Sequence, residues 1–184
     1  MPETLVAALG GNALQRAGMP ADAESQLKVV RETASQLLDI LKAGWRLAVV
    51  HGNGPQVGRI ALQNEAARDI TPPMPFDVCG AMSQGMIGYH IQQALGEEME
   101  KAGLPGRPVT LVTQVRVDVK DPAFLHPTKP IGPFYSREDA ETIMREKGYV
   151  FREDAGRGWR RVVPSPLPLE VVELDQVRIL LDAG

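Results

Sequence analysis

Apolar and polar positions follow two rhythms along this chain. Unbroken apolar runs occur at "TLVAALG" (4–10) and "WRLAVV" (45–50), and glycine follows closely on each. Short runs without alternation predict strands buried on both faces. Between them, Leu27, Val30, Ala34, Leu37, Leu38 and Leu41 recur at helical spacing. They predict a helix over Glu24–Lys42 with Gly44 as its C-terminal cap. "GGNALQRAG" predicts a loop. Pro55 suits a first helical turn and predicts a helix through "QVGRIALQNEAARD", which "TPPMP" (71–75) stops. A long helix is predicted from Phe76 or Asp77 to about Lys101, closed by Gly103, and "PVTLVTQVRVD" (108–118) predicts a third strand. The order β-α-β-α-α-β, with apolar strands, predicts an α/β fold whose mainly parallel sheet carries helices on both faces.

The texture then changes. "DPAFLHPTKPIGPFYS" (121–136) holds four prolines in sixteen residues. Ser136 is placed to cap a short helix, "REDAETIMREKG", with Asp139 three residues on. "YVFRED" and "WRRVVP" flank "AGRG" and predict a hairpin. The expected organisation is an N-terminal core over 1–119, a protruding subdomain over 120–165 and a return segment over 166–184. That segment carries a helix at 174–182 with Gly184 as its cap. A further strand is the natural sequel, so the fold is expected to be truncated.

Composition narrows the classes. The 184 residues suffice for one domain with an appendage, and 43% hydrophobic with 23% charged residues is an ordinary globular balance. A net charge of −3 argues against a nucleic-acid or anionic-membrane surface. The one cysteine, Cys79, allows no internal disulfide and fits a reducing, cytoplasmic setting. "MPETLVAAL" lacks the basic start and long apolar core of a signal peptide, and no apolar run approaches a membrane span.

The candidate chemistry lies at the glycines. In open parallel sheets ligands gather at the C-terminal ends of strands. "LGGN" (9–12) and "HGNGPQVG" (51–58) sit at two such ends. Backbone without Cβ atoms can turn its N–H groups towards a small anion, and the second turn also opens a helix with a partially positive N-terminus. The plain alternative is a pair of tight turns. A P-loop signature is absent, and Gly52, Gly54 and Gly58 miss the dinucleotide spacing by one residue. Lys129, between Pro127 and Pro130, is either a solvated lysine on a stiffened loop or a cation for a phosphoryl group in transit. His51 is either a base or a residue that only packs or bonds to backbone. Cys79 is expected in the core, His90 and His126 have no ligand spacing, and Arg157, Arg160 and Arg161 are expected at the surface.

"ALGGNAL", "VVHGNGPQVG", "DPAFLHPTKPIGPFY" and "RRVVPSPLP", in this order, resemble the carbamate kinases of the amino acid kinase family. The resemblance covers essentially the whole chain. It implies a three-layer α/β/α sandwich, with the phosphoryl acceptor in the N-terminal half and the nucleotide in the C-terminal half. It implies reversible transfer of phosphate between carbamoyl phosphate and ADP, with Mg2+, within arginine catabolism, in a cytoplasmic homodimer. Carried over by motif, Gly10, Gly11 and Asn12 border the phosphoryl or carbamate group. Gly52, Asn53 and Gly54 form a second wall, and Lys129 closes onto the substrate. Lys129, Gly11 and Asn12 are thus the catalytic candidates, and no metal ligand is assigned. Carbamate kinases are longer, so the nucleotide site is expected to be missing here and the chain alone to be inactive. The alternatives are a non-catalytic half-domain that holds a small anion, and a kinase of another small acid such as acetylglutamate.

Overall fold

A computed structural model describes residues 3–16 and 18–183, apart from the side chain of Asn12. The chain divides into two compact units: residues up to Asn53 with Gln84–Val112 and from Glu173 onward, and Gly54–Ser83 with Thr113–Val172.

In the first unit, β1 (Thr4–Leu9) pairs in parallel with β2 (Arg46–His51), from Thr4 opposite Arg46 to Leu9 opposite His51. Between them lies α2 (Ala23–Lys42). It starts where Asp22 accepts a hydrogen bond from the Ser25 amide at 2.7 Å. It ends at Gly44, whose φ of 88° is open to glycine at little cost. Val30, Ala34, Leu37 and Leu38 of α2 pack on Ile87, Ile91, Ala94, Leu95 and Met99 of α4 (Phe76–Lys101). Ala7, Leu9, Leu47 and Val49 of the strands lie against this core. The expected burial on both faces is corrected here: Val6 is 63% exposed and Val50 50%. On the same face as Val50, Arg46 is covered where it donates to the Leu181 carbonyl at 2.8 Å.

"GGNALQRAG" is not simply a loop, because Gly11–Leu14 forms one helical turn, α1. The third expected strand is also corrected. Only Val115–Val117 is strand, β3, and it pairs antiparallel with β7 (Pro168–Val171). Residues 108–112 instead lie beside α4, where Thr110 fills the space above Gly88; a Cβ there would stand 2.2 Å from its methyl group. Among the described residues no strand pairs with 108–112. The unit also holds α6 (Leu174–Ala183); its expected cap, Gly184, lies outside the described residues.

The second unit contains α3 (Gly54–Ala66), the first turns of α4, and the Pro-rich block. Here β4 (Lys129–Tyr135), β6 (Trp159–Val163) and β5 (Val150–Glu153) form an antiparallel sheet in the order β4-β6-β5. The β5–β6 hairpin is the predicted one. Helix α5 (Arg137–Lys147) begins at a reciprocal cap, in which Ser136 Oγ accepts from the Asp139 amide at 3.0 Å and donates to its carboxylate at 2.7 Å. Val57, Ile60, Cys79 and Ile131 make this unit's core.

Candidate functional site

The two glycine turns of the first unit leave the sheet side by side. Leu9 and His51 are register partners, and the Gly52 amide donates to the Leu9 carbonyl at 3.2 Å. Beyond Leu9, the Gly10 carbonyl accepts from the Ala13 amide at 3.1 Å, and that of Gly11 from Gln15 at 2.8 Å, which closes α1. Two anchors hold α1: Leu14 is 2% exposed, and Thr33 Oγ1 on α2 donates to the Ala13 carbonyl at 2.9 Å. The backbone of Gly10, Gly11 and Asn12 is therefore held in place by core contacts. The side chain of Asn12 lies outside the described part.

Nothing in the described chain requires glycine at these ends. None of Gly10, Gly11 and Gly52 has a positive φ. A Cβ built on any of them meets no heavy atom within 4 Å. Ordinary backbone and empty surroundings mean that neither strain nor packing in this chain excludes a side chain. His51 turns its Nδ1–H onto the Gly52 carbonyl at 3.1 Å, so the ring bonds to the turn's backbone.

In the second unit, Gly54 opens α3, whose N-terminus carries partial positive charge. Strand β4 runs along this helix. The Pro130 carbonyl stands 3.3 Å from where a Gly54 Cβ would be, and a Cβ on Gly58 would stand 2.0 Å from the Gly132 nitrogen. Lys129 is the neighbour of Pro130. It is exposed and has no ion-pair partner among the described residues. The expected stiff loop is a strand start, since Lys129 faces Val163 on β6 and the Thr128 amide donates to the Val163 carbonyl at 3.2 Å. Pro130 and Pro133 are compatible with pairing because β4 is an edge strand, where not every N–H is needed.

Other candidates resolve simply. Cys79 is 1% exposed and points its thiol at the Met74 carbonyl, and burial pushes its pKa up, so it is a core residue rather than a nucleophile. His126 sits exposed in the turn after Pro122–Phe124. Arg160 corrects the expected surface placement: its side chain is 13% exposed and paired with Asp154 at 3.1 Å. Its sequence context, a hairpin arm between charged neighbours, gives no sign of this. Sequence reasoning also passed over Gln56, in the first turns of α3. It is 1% exposed, with both amide atoms unpaired among the described residues. A cavity of about 60 Å³ lies between α3, β4, α5 and β5, lined by Leu62, Ile131, Tyr135, Ile143 and Phe151. Among the described residues, no three His, Cys, Asp or Glu side chains converge to hold a metal ion.

His90, on α4 and 8% exposed, is held neutral because burial lowers its pKa below the ordinary imidazole value. The unfolded chain binds the proton first as pH falls, so this contribution is complete above about pH 6.5 and declines below it. Melts of the chain from pH 7.5 to 5.5 are expected to show Tm falling. In His90→Gln, part of that slope, at most about 1.4 kcal/mol per pH unit for one group, should vanish. An unchanged slope would remove His90 as its source.

The sequence model of the amino acid kinase family matches residues 3–183. A carbamate kinase from Pyrococcus horikoshii is 52% identical over 186 aligned positions, which cover 100% of this chain and 59% of that protein. One from Clostridium perfringens is 48% identical over 183, covering 98% of this chain and 58% of that protein. Among solved structures, the carbamate kinase of Giardia lamblia bound to citric acid superimposes with a TM-score of 0.96 at 50% identity, over 99% of this chain and 59% of that one. The same enzyme bound to AMP-PNP gives a TM-score of 0.84 at 49% identity, over 99% of this chain and 58% of that one. The chain thus spans under two thirds of the length of these relatives. No helix among the described residues is long and apolar enough to cross a membrane.

Proposed function

The chain belongs to the amino acid kinase family, and we propose that the whole protein is a carbamate kinase, of which these residues carry the carbamate and phosphoryl site. The observation that carries this reading is the pair of glycine turns, at Gly10 and Gly11 and at Gly52, side by side at the ends of two adjacent parallel strands with open space at each. A small anion is the occupant such backbone suits. The relatives named carbamate kinase, at about half identity, favour carbamate over acetylglutamate as the acceptor.

In this reading the P–O bond to the carbamate oxygen of carbamoyl phosphate breaks as a bond forms to the terminal phosphate oxygen of ADP. Carbamate leaves as the anion, and the reaction runs in either direction. No covalent enzyme intermediate is needed, so catalysis is positioning and charge stabilisation. The main chain at Gly10, Gly11 and Asn12 borders the group on one side. Gly52, Asn53 and Gly54 border it on the other, with the dipole of α3 at Gly54. Lys129 neutralises charge developing on the phosphoryl oxygens. Bound Mg2+ would offset phosphate charge on the nucleotide in the whole protein. The described side chains offer no cluster of three that could hold it. The proposed protein is a homodimer in the cytoplasm, which suits a chain with a single buried cysteine.

The 184-residue chain by itself is expected to bind phosphate or carbamoyl phosphate at the glycine turns and to make no ATP from carbamoyl phosphate and ADP. Phosphorus NMR titration reads the first outcome, and a coupled ATP assay reads the second. Turnover above a buffer control would show that the chain needs nothing further. Absence of any anion contact at residues 10–12 and 52–54 would remove the site.

A further inference from the structure

The strand that begins at Lys129 is irregular. Ile131 pairs with Arg161 and Tyr135 with Trp159, so four steps along β4 face two along β6. The surplus forms a bulge at Gly132, Pro133 and Phe134, with Gly132 at a φ of 70°. Bulges re-aim the residues of a strand and are common beside active sites. This one is gripped from both sides. On one side the Gly132 backbone lies directly on the Gly58 backbone of α3, with no room for a Cβ. On the other, Arg160 Nε donates to the Gly132 carbonyl at 3.1 Å. Arg160 is itself fixed: its Nη1 donates to Asp154 at 3.1 Å, and its guanidinium lies 5.2 Å from the centre of the Phe134 ring, within the bulge. Arg157 braces the same carboxylate at 3.0 Å and stacks on the same ring at 5.1 Å. Two arginines thus share one aspartate and lie on the bulge's own aromatic ring, and Arg160 also holds its backbone. This is more holding than a surface hairpin needs.

We propose that Arg160 is a positioning residue for Lys129: by clamping the Gly132 bulge against Gly58 it fixes where β4 begins, and with it the Lys129 ammonium. The inference rests on the role given to Lys129 above. Lys129 lies three residues before Gly132, about 10 Å along the strand. Ile131, 3% exposed, and the pairing of Lys129, Pro130 and Ile131 with β6 make that segment stiff enough to pass a displacement on. Without the Arg160 donor the Gly132 carbonyl loses its partner and the bulge can slide along α3. Misplacement by about 1 Å can cost roughly 100-fold in rate.

The test is a double-mutant cycle in the whole protein, with kcat and KM for carbamoyl phosphate and for ADP measured beside thermal melts. Arg160→Ala is expected to lower kcat by roughly 10–100-fold while KM for ADP stays unchanged. Arg160→Lys is expected to recover part of the loss, since an ammonium can reach one acceptor but not span two. In a Lys129→Ala background, Arg160→Ala should cost less than about threefold more, because the group it positions is gone. If Arg160→Ala does not fold, Asp154→Asn, which loosens the same arginine, is read in the same cycle. Equal losses in both backgrounds, or losses that merely track the folded fraction, would overturn the inference and leave Lys129 in its role. An unchanged kcat for Lys129→Ala alone would overturn the role of Lys129 and this inference with it, and that result is visible before Arg160 is altered.

Discussion

Lys129→Ala in the whole protein is expected to lower kcat by roughly 10²–10³ with almost no change in Tm. The rate loss follows from removing one preorganised donor at the point where phosphoryl charge develops. The stability result follows from the structure, because Lys129 is exposed and has no ion-pair partner among the described residues. An exposed, unpaired lysine contributes less than about 0.5 kcal/mol to folding. Lys129→Arg should rescue only in part, because a planar fork replaces a compact charge. Steady-state kinetics and melts of both variants decide the matter. A kcat/KM near that of the unmodified protein for Lys129→Ala would make Lys129 an ordinary solvated side chain.

The glycines of "HGNGPQVG" are expected to separate into two kinds. Gly52→Ala adds a methyl group where there is open space and ordinary backbone, so the fold should tolerate it. The same methyl group would occupy the space assigned to the anion, and affinity for carbamoyl phosphate should fall by about 10–100-fold, or roughly 1.4–2.8 kcal/mol. Gly58→Ala should behave in the opposite way. Its methyl carbon would lie 2.0 Å from the Gly132 nitrogen and 2.2 Å from its Cα, so helix and strand must part. Overpacking of this kind costs about 3 kcal/mol or more when backbone has to move, and Tm should drop by many degrees. Melts and phosphate titrations of both variants are sufficient. If Gly52→Ala unfolds the chain, or binds phosphate as well as the parent does, its space is not a ligand's.

Much of this was legible from local pattern. The helix expected over Glu24–Lys42 is Ala23–Lys42, and the long helix runs from Phe76 to Lys101 as expected. Ser136 caps α5 through Asp139, and the hairpin closes where "AGRG" was expected to turn it. Each of these rests on neighbours within four residues, or on a turn whose two arms are consecutive. The third strand was found only at Val115–Val117, because an apolar run becomes sheet only where a partner edge exists. Residues 108–112 lie beside Gly88 of α4 instead. Both faces of β1 were expected to be buried because the apolar run "LVAAL" does not alternate, yet Val6 stays exposed among the described residues. A run of side chains states which faces are apolar and not what covers them.

The sequence by itself determined the main helices, the first two strands and the β5–β6 hairpin, the two glycine turns at strand ends, and the likeness of four motifs to one family, since these depend on residue type and short spacing. Only the tertiary structure decided which glycines are empty and which are jammed. It placed Gly52 in open space and Gly58 against Gly132, two residues alike in sequence and distinguished by what lies above them. It likewise moved Arg160 from the surface into a clamp. The physical reason is range. Backbone conformation and capping are settled by atoms a few bonds away, whereas the space at a Cβ or the burial of a guanidinium is set by chain from distant positions, folded up against it.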